Sequence, residues 1–188
     1  GSFLLREGDF SNTSYFVFDG FDVTNFNQGI FIENSNHIKL QNCEVHHVGQ
    51  DAIGVHYNSS YVTIQNCKVH DTRQWQYNGE GIYIGTGSGG PLDNTCHVIV
   101  RNNLVYNITD EGIELKPGTH DCLVEGNTLY NIMTDPDYAG GAGAIEINPG
   151  SVPCPNCPDG TQSWPSNPGH IIKNNIVHSS KTGIRAGT

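Results

Sequence analysis

Five residues in the C-terminal half of the chain have the types and spacing to work on a charged polymer: Glu114, Lys116, Glu146, Asn148 and Arg185. They sit in similar hexapeptides, GIELKP (112–117), AIEINP (144–149) and GIRAGT (183–188), with Arg185 in the place the glutamates hold. If these hexapeptides are neighbouring strands in register, Glu114 and Glu146 stand about 4.8 Å apart. Carboxylates that close repel, and one takes up a proton unless a cation lies between them. Oxygens from Glu111, Glu114, Glu146 and Asn148 suit Ca²⁺, which prefers carboxylate and amide donors. Without a metal, Lys116 and Arg185 neutralise the glutamates as a plain salt-bridge ladder, which any sheet face with paired like charges needs. Asp51, Glu80 and Glu111 occupy equivalent positions just before three such strands. Acid–base hydrolysis by two separated carboxylates, drawn from these three and Glu114, is therefore also compatible with the pattern.

What could hold these residues in register is a repeat. An eleven-residue block occurs six times: FVFDGFDVTNF (16–26), IKLQNCEVHHV (38–48), VTIQNCKVHDT (62–72), VIVRNNLVYNI (98–108), CLVEGNTLYNI (122–132) and HIIKNNIVHSS (170–180). A GI-type segment follows each, beginning at 29, 52, 81, 112, 144 and 183. Alignment gives three apolar columns: Phe18, Leu40, Ile64, Val100, Val124 and Ile172; Val23, Val45, Val69, Val105, Leu129 and Val177; Ile30, Ile53, Ile82, Ile113, Ile145 and Ile184. Each stretch alternates over only a few residues, too short for a helix and right for a strand. One coil cannot bury its apolar face, but stacked coils share a continuous core, and parallel crossovers favour the right hand. The expectation is an all-β fold: a right-handed parallel β-helix solenoid of about six coils of three short strands. It forms a single domain over residues 1–188.

The block keeps its length while the spacing between turn anchors (20, 42, 66, 102, 126 and 174) varies from 22 to 48 residues. All the variation falls on the two turns flanking the GI-type strand. Residues 73–79 and 133–143 precede it, and residues 85–96 and 149–169 follow it. Insertions in a solenoid gather around its binding face, so the GI-type strands should floor a groove walled by these long loops. Tyr83 and His56 point into that groove. Trp75, Tyr77, Tyr138 and Trp164 lie on its walls, where they either stack on sugar faces or pin the loops to the coil. A second column, His46, His70, Tyr106, Tyr130 and His178, runs on another face and reads as surface stacking.

The composition limits the partners. Nine basic and 19 acidic residues leave a formal charge of −10, which argues against phosphate-backbone binding. No apolar run reaches the length of a membrane span, and no signal peptide is recognisable. Six cysteines and three Asn-x-Ser/Thr sequons at Asn12, Asn58 and Asn107 favour a secreted, extracellular protein. Cys43 and Cys67 read as buried free thiols. Cys96 and Cys122 are close enough in register to bridge. Cys154 and Cys157, as CPNC, form a small-loop disulfide or stay as two free thiols.

With these columns the chain resembles right-handed parallel β-helix repeat proteins of the pectate-lyase-like superfold, over residues 15–188. The Asn102-Asn103 and Asn174-Asn175 pairs, with Asn127 between them, are similar to that fold's asparagine ladder; Phe21, Cys43 and Cys67 replace asparagine in the earlier coils. The resemblance implies β-elimination of a uronic-acid polymer. On that reading Glu111, Glu114, Glu146 and Asn148 hold Ca²⁺, Lys116 is the base with its pKa lowered by neighbouring cations, and Arg185 stabilises the enolate-like intermediate or assists the leaving group. The bridging cation would let an acidic groove take an acidic polysaccharide. The alternatives are a non-catalytic β-helix module (glycan-binding, or a piece of an adhesin or fibre) and a glycoside hydrolase. Weak capping at residues 1–14 and after GIRAGT points to a neighbouring domain or subunit covering the solenoid ends.

Overall fold

The computed structural model describes residues 13–72, 79–87, 93–134, 143–148 and 169–186. They wind as a right-handed parallel β-helix, with three six-stranded sheets that each take one strand from each of six coils. The first sheet comprises Val17–Asp19, Lys39–Gln41, Thr63–Gln65, Ile99–Arg101, Leu123–Glu125 and Ile171–Lys173. The second comprises Asp22–Thr24, Glu44–His46, Lys68–His70, Leu104–Ile108, Thr128–Ile132 and Ile176–His178. The third comprises Ile30–Glu33, Ile53–His56, Ile82–Ile84, Ile113–Leu115, Ile145–Ile147 and Ile184–Ala186. No helix occurs among the described residues, and hence none long and apolar enough to cross a membrane.

Every apolar column stands in register. Phe18, Leu40, Ile64, Val100, Val124 and Ile172 pair Cα to Cα down the first sheet. Val23 to Val177 do so down the second, and Ile30 to Ile184 down the third. Side chains alternate across a strand, so one residue per short strand reaches the interior of the coil and packs on its copies above and below. In the middle coils these residues are wholly buried, whereas in the last coil Ile172 and Val177 are only partly buried and Ile184 is exposed.

The corners have their own chemistry. Between the first and second sheets the chain turns through a left-handed residue: Gly20, Asn42, Asn66, Asn102, Gly126 and Asn174, with φ from 54° to 75°. Glycine and asparagine adopt that conformation most readily, which is why an Asn or Gly marks every block in the sequence. The corner after the second sheet is also left-handed, at Asn25, His47, Asp71, Asn107, Asn131 and Ser179. Just inside the first corner, Asn103, Asn127 and Asn175 form the ladder. Asn127 Nδ2 donates to Val100 O and to Asn175 Oδ1, both at 2.9 Å, while its Oδ1 accepts from Asn103 N and Nδ2 at 3.0 Å. Buried corner amides thus find partners without water. Cys67 takes the same place one coil earlier, its N–H donating to Asn103 Oδ1 at 2.9 Å.

Cys43, Cys67, Cys96 and Cys122 are free thiols, so the register that brings Cys96 and Cys122 near each other does not join them. Cys154 and Cys157 lie outside the described residues. Asn127→Ala removes a fully buried amide and orphans donors on Asn103. It should cost about 2–4 kcal/mol in urea-denaturation stability. A loss below about 0.5 kcal/mol would show the ladder to be dispensable.

Candidate functional site

The outward positions of the third sheet gather the charged residues. Phe31, Gly54, Tyr83, Glu114, Glu146 and Arg185 pair in one column along its face. The flanking Ile113 and Leu115 point inward and are wholly buried, so the strand geometry commits Glu114 to the outer face of the sheet. Glu114 and Glu146 are nonetheless only 1% and 4% exposed. Lys116 Nζ lies 2.6 Å from Glu114 Oε1 and 4.9 Å above the centre of the Tyr83 ring. Asn148 Nδ2 reaches the same Glu114 oxygen at 3.4 Å. Glu146 turns the other way, accepting from Arg185 Nη1 at 3.3 Å and from the Gly143 N–H at 2.8 Å.

A second buried row stands one corner upstream, at Asp51, Glu80 and Glu111. Glu80 accepts from the Gly79 N–H at 2.8 Å, and its own N–H donates to Asp51 Oδ1 at 3.4 Å. One carboxylate oxygen from each of Glu80, Glu111 and Glu114 lies within 4.8 Å of the other two. That spread matches oxygens held at about 2.4 Å around one Ca²⁺. Glu114 Oε2 is buried with no hydrogen-bond partner among the described residues, so an acceptor is left over for a cation. The donor set fits a hard divalent ion.

The charge balance explains the proton affinities. With Asp51, Glu80, Glu111, Glu114 and Glu146 all ionised, Lys116 and Arg185 leave three negative charges uncompensated in a buried site; two protons or one divalent cation reduce that to one. Burial, then the hydrogen bond and charge of Glu80, push Asp51 up to about 9. Burial, then the charges of Glu114 and Asp110, push Glu111 up to about 10. Burial raises Glu114 as well, but Lys116 pulls it back to about 7. Burial alone would also raise Glu80. Hydrogen bonds from the Asp51 carboxyl and the Gly79 N–H outweigh it and hold Glu80 below the ordinary carboxylate range. Lys116 is likewise pulled two ways: burial lowers its pKa, and the Glu114 carboxylate more than restores it. Its neighbours are carboxylates and not the cations expected from sequence, so its pKa is raised and it stands as an ammonium.

The expected site residues therefore separate into groups. Glu111, Glu114, Lys116 and Asn148 converge, and Glu146 pairs with Arg185 beside them. Glu80 joins Glu111 and Glu114 where sequence spacing placed Glu146. That grouping depends on how far long side chains reach across a corner, which column alignment does not report. Tyr83 forms part of the floor. His56 is buried edge-on between Phe31 and Tyr83, with ring centres 5.2 and 5.1 Å away, and burial depresses its pKa to about 4, so it stays neutral. Trp75, Tyr77, Tyr138 and Trp164 lie outside the described residues. A concavity of about 570 Å³ occurs elsewhere, along the corner after the second sheet, with Asp71, Asn107 and Asn131 in its lining. Its lining lacks the buried carboxyl cluster of the groove.

Residues 9–188 match the family described as right handed beta helix region. Among solved structures, the chain is similar to an alginate lyase from Paenibacillus sp. str. FPU-7, with a TM-score of 0.70 and 22% sequence identity. The similarity covers 88% of this chain and 51% of that one, so this chain spans about half its length. No match was found among curated proteins.

The raised carboxyls set the pH dependence of stability. The folded chain keeps protons on Asp51 and Glu111 that the unfolded chain releases above about pH 4. Stability therefore falls as pH rises from there through about 9 and about 10. Glu111→Gln, which carries no proton to lose, should flatten this decline and melt on the order of 5 °C higher than wild type at about pH 9, with little difference at about pH 5. Parallel melting curves for the two proteins across that range would remove Glu111 as a source of the effect.

Proposed function

The chain belongs to the right handed beta helix family, and from that premise we propose that it is an extracellular polysaccharide lyase. Its groove would take an acidic, uronic-acid polymer over the third sheet and cleave it by β-elimination. The observation that carries this reading is the Lys116 ammonium seated on Glu114 at 2.6 Å, over the Tyr83 ring and among buried carboxyls. An amine is thereby fixed at the middle of a groove floor, with a second cation, Arg185, two strands along the same sheet.

The chemistry breaks the C5–H bond of a uronate, forms a C4=C5 double bond and expels the glycosidic oxygen from C4. Lys116, an ammonium in the free site, would first pass its proton to Glu114, 2.6 Å away; the amine so formed takes the C5 proton, gives it to the departing oxygen, and recovers its own from Glu114. The Glu114 charge holds Lys116 in its protonated form, and protonating Glu114, near pH 7, removes that charge. Arg185 stabilises the negative charge that develops on the uronate carboxyl. Glu80, Glu111 and Glu114 would hold Ca²⁺, with Asn148 and Glu146 beside them. When bound, that ion neutralises the substrate carboxylate and acidifies the neighbouring C–H bond. The alginate lyase to which the chain is similar is named for a polymer of this substrate class.

A second reading rests on one specific observation. The Glu111 and Glu80 carboxyls have proton affinities driven apart, Glu111 upward and Glu80 downward, as the acid and base of a glycoside hydrolase would be. A single assay separates the two. Alginate, polygalacturonate and other polyuronates are incubated with the protein, with and without Ca²⁺, while unsaturated-product absorbance and reducing ends are both followed. The lyase produces both signals, and Lys116→Ala lowers them at least about 100-fold. Reducing ends without absorbance would identify the hydrolase. A protein that binds these polymers without cleaving any, unaffected by Lys116→Ala, would be a non-catalytic module.

A further inference from the structure

The second sheet carries a histidine cluster that the groove chemistry does not use. His46 and His70 pair in register, and their rings stack at 4.9 Å and 12°. Each directs Nε2 to a carboxylate one coil back: His46 to Asp22 Oδ1 at 3.0 Å, and His70 to Glu44 Oε1 at 3.1 Å. Lys68 holds the other Glu44 oxygen at 3.6 Å. A ring that donates Nε2–H in this way carries its lone pair on Nδ1; on His46 that atom also lies 3.5 Å from Thr24 Oγ1.

Both Nδ1 edges meet the left-handed corner. His46 Nδ1 is 2.6 Å from His47 Nδ1, and His70 Nδ1 is 2.7 Å from Asp71 Oδ2. The corner is what aims these partners: His47 and Asp71 have φ of 50° and 53°, in the column where other coils place asparagine. Pairs of lone-pair atoms this close need a proton or a metal cation between them. One nitrogen from each of His46, His47 and His70 lies within 4.8 Å of the other two. His70 is buried, His46 half-buried and His47 exposed, so the cluster opens to solvent on one side.

We propose that His46, His47 and His70 form a site for a divalent transition metal, Zn²⁺ by the chemistry of the donors. Three imidazoles suit Zn²⁺ and not Ca²⁺, and three protein ligands leave a fourth position, for Asp71 or water. Asp22 and Glu44 are the outer carboxylates that fix imidazole orientation in such sites. The tetrahedral edge for Zn–N bonds is about 3.3 Å, so the His46–His47 pair must open from 2.6 Å, and His70, stacked 4.9 Å from His46, must close toward it. The ion would clip the second coil to the third, on a different sheet from the groove.

The test is calorimetric titration of the untagged chain with Zn²⁺ and, separately, Ca²⁺, alongside melting curves. His47→Asn is the informative variant, because asparagine occupies the same corner at positions 25, 107 and 131 and so preserves the fold. The expected result is one Zn²⁺ bound at this site and a raised Tm, with affinity at least about tenfold weaker in His47→Asn. Glu114→Gln should leave this binding unchanged, which keeps it distinct from any cation in the groove. Absence of Zn²⁺ binding in the wild type, or binding of equal strength in His47→Asn, would overturn the proposal. The cluster would then be a hydrogen-bonded stack held by protons.

Discussion

The parallel register between successive coils is the constraint on which the rest of this molecule depends. Side chains on a strand alternate with a period of two, so a slip of one residue would turn every isoleucine of the third sheet into the groove and every glutamate into the core. Neither is tolerable, and the apolar columns therefore lock the register at all three sheets together. The charged floor is a by-product of that lock. Glu80, Glu114, Lys116, Glu146 and Arg185 come from four coils, and they meet because the isoleucines next to them must stack.

The floor is costly in isolation. Burying several carboxyls with too few cations is unfavourable, and the site meets that cost by keeping protons where ordinary carboxyls would lose them. Asp51 and Glu111 remain protonated well above their usual range, Glu80 is held ionised by hydrogen bonds, and Glu114 titrates in between while gripping Lys116. Such a graded set is what a site that moves protons needs, and it is also a set that a divalent cation could reorganise.

Much of this is legible in the sequence, and the divide has a physical cause. The coil count, the three columns and the outward placement of Glu114, Glu146 and Arg185 depend only on strand periodicity and on a block of constant length. What stays hidden depends on side-chain reach and on the corner conformation. Glu80 joins Glu111 and Glu114 across a corner, and Lys116 finds carboxylates around it where the resemblance implied cations. His47 and Asp71 look like ordinary turn residues until their positive φ aims them at His46 and His70. The reading of the His46–His178 column as surface stacking describes the rings well but passes over the two corner residues beside them.

The eleven-residue block has a consequence for how such a chain can change. Residues from one coil to the next stay one strand apart whether the intervening chain is 22 residues long or 48. Closing a flexible loop of double the length costs only about 0.6 kcal/mol more. The segments that connect the blocks can therefore be lengthened or exchanged at small thermodynamic cost, while a single insertion within the block would rotate the third-sheet face out of alignment. Variation is channelled to the segments between blocks, and the scaffold separates the residues free to diversify from those that must hold the register.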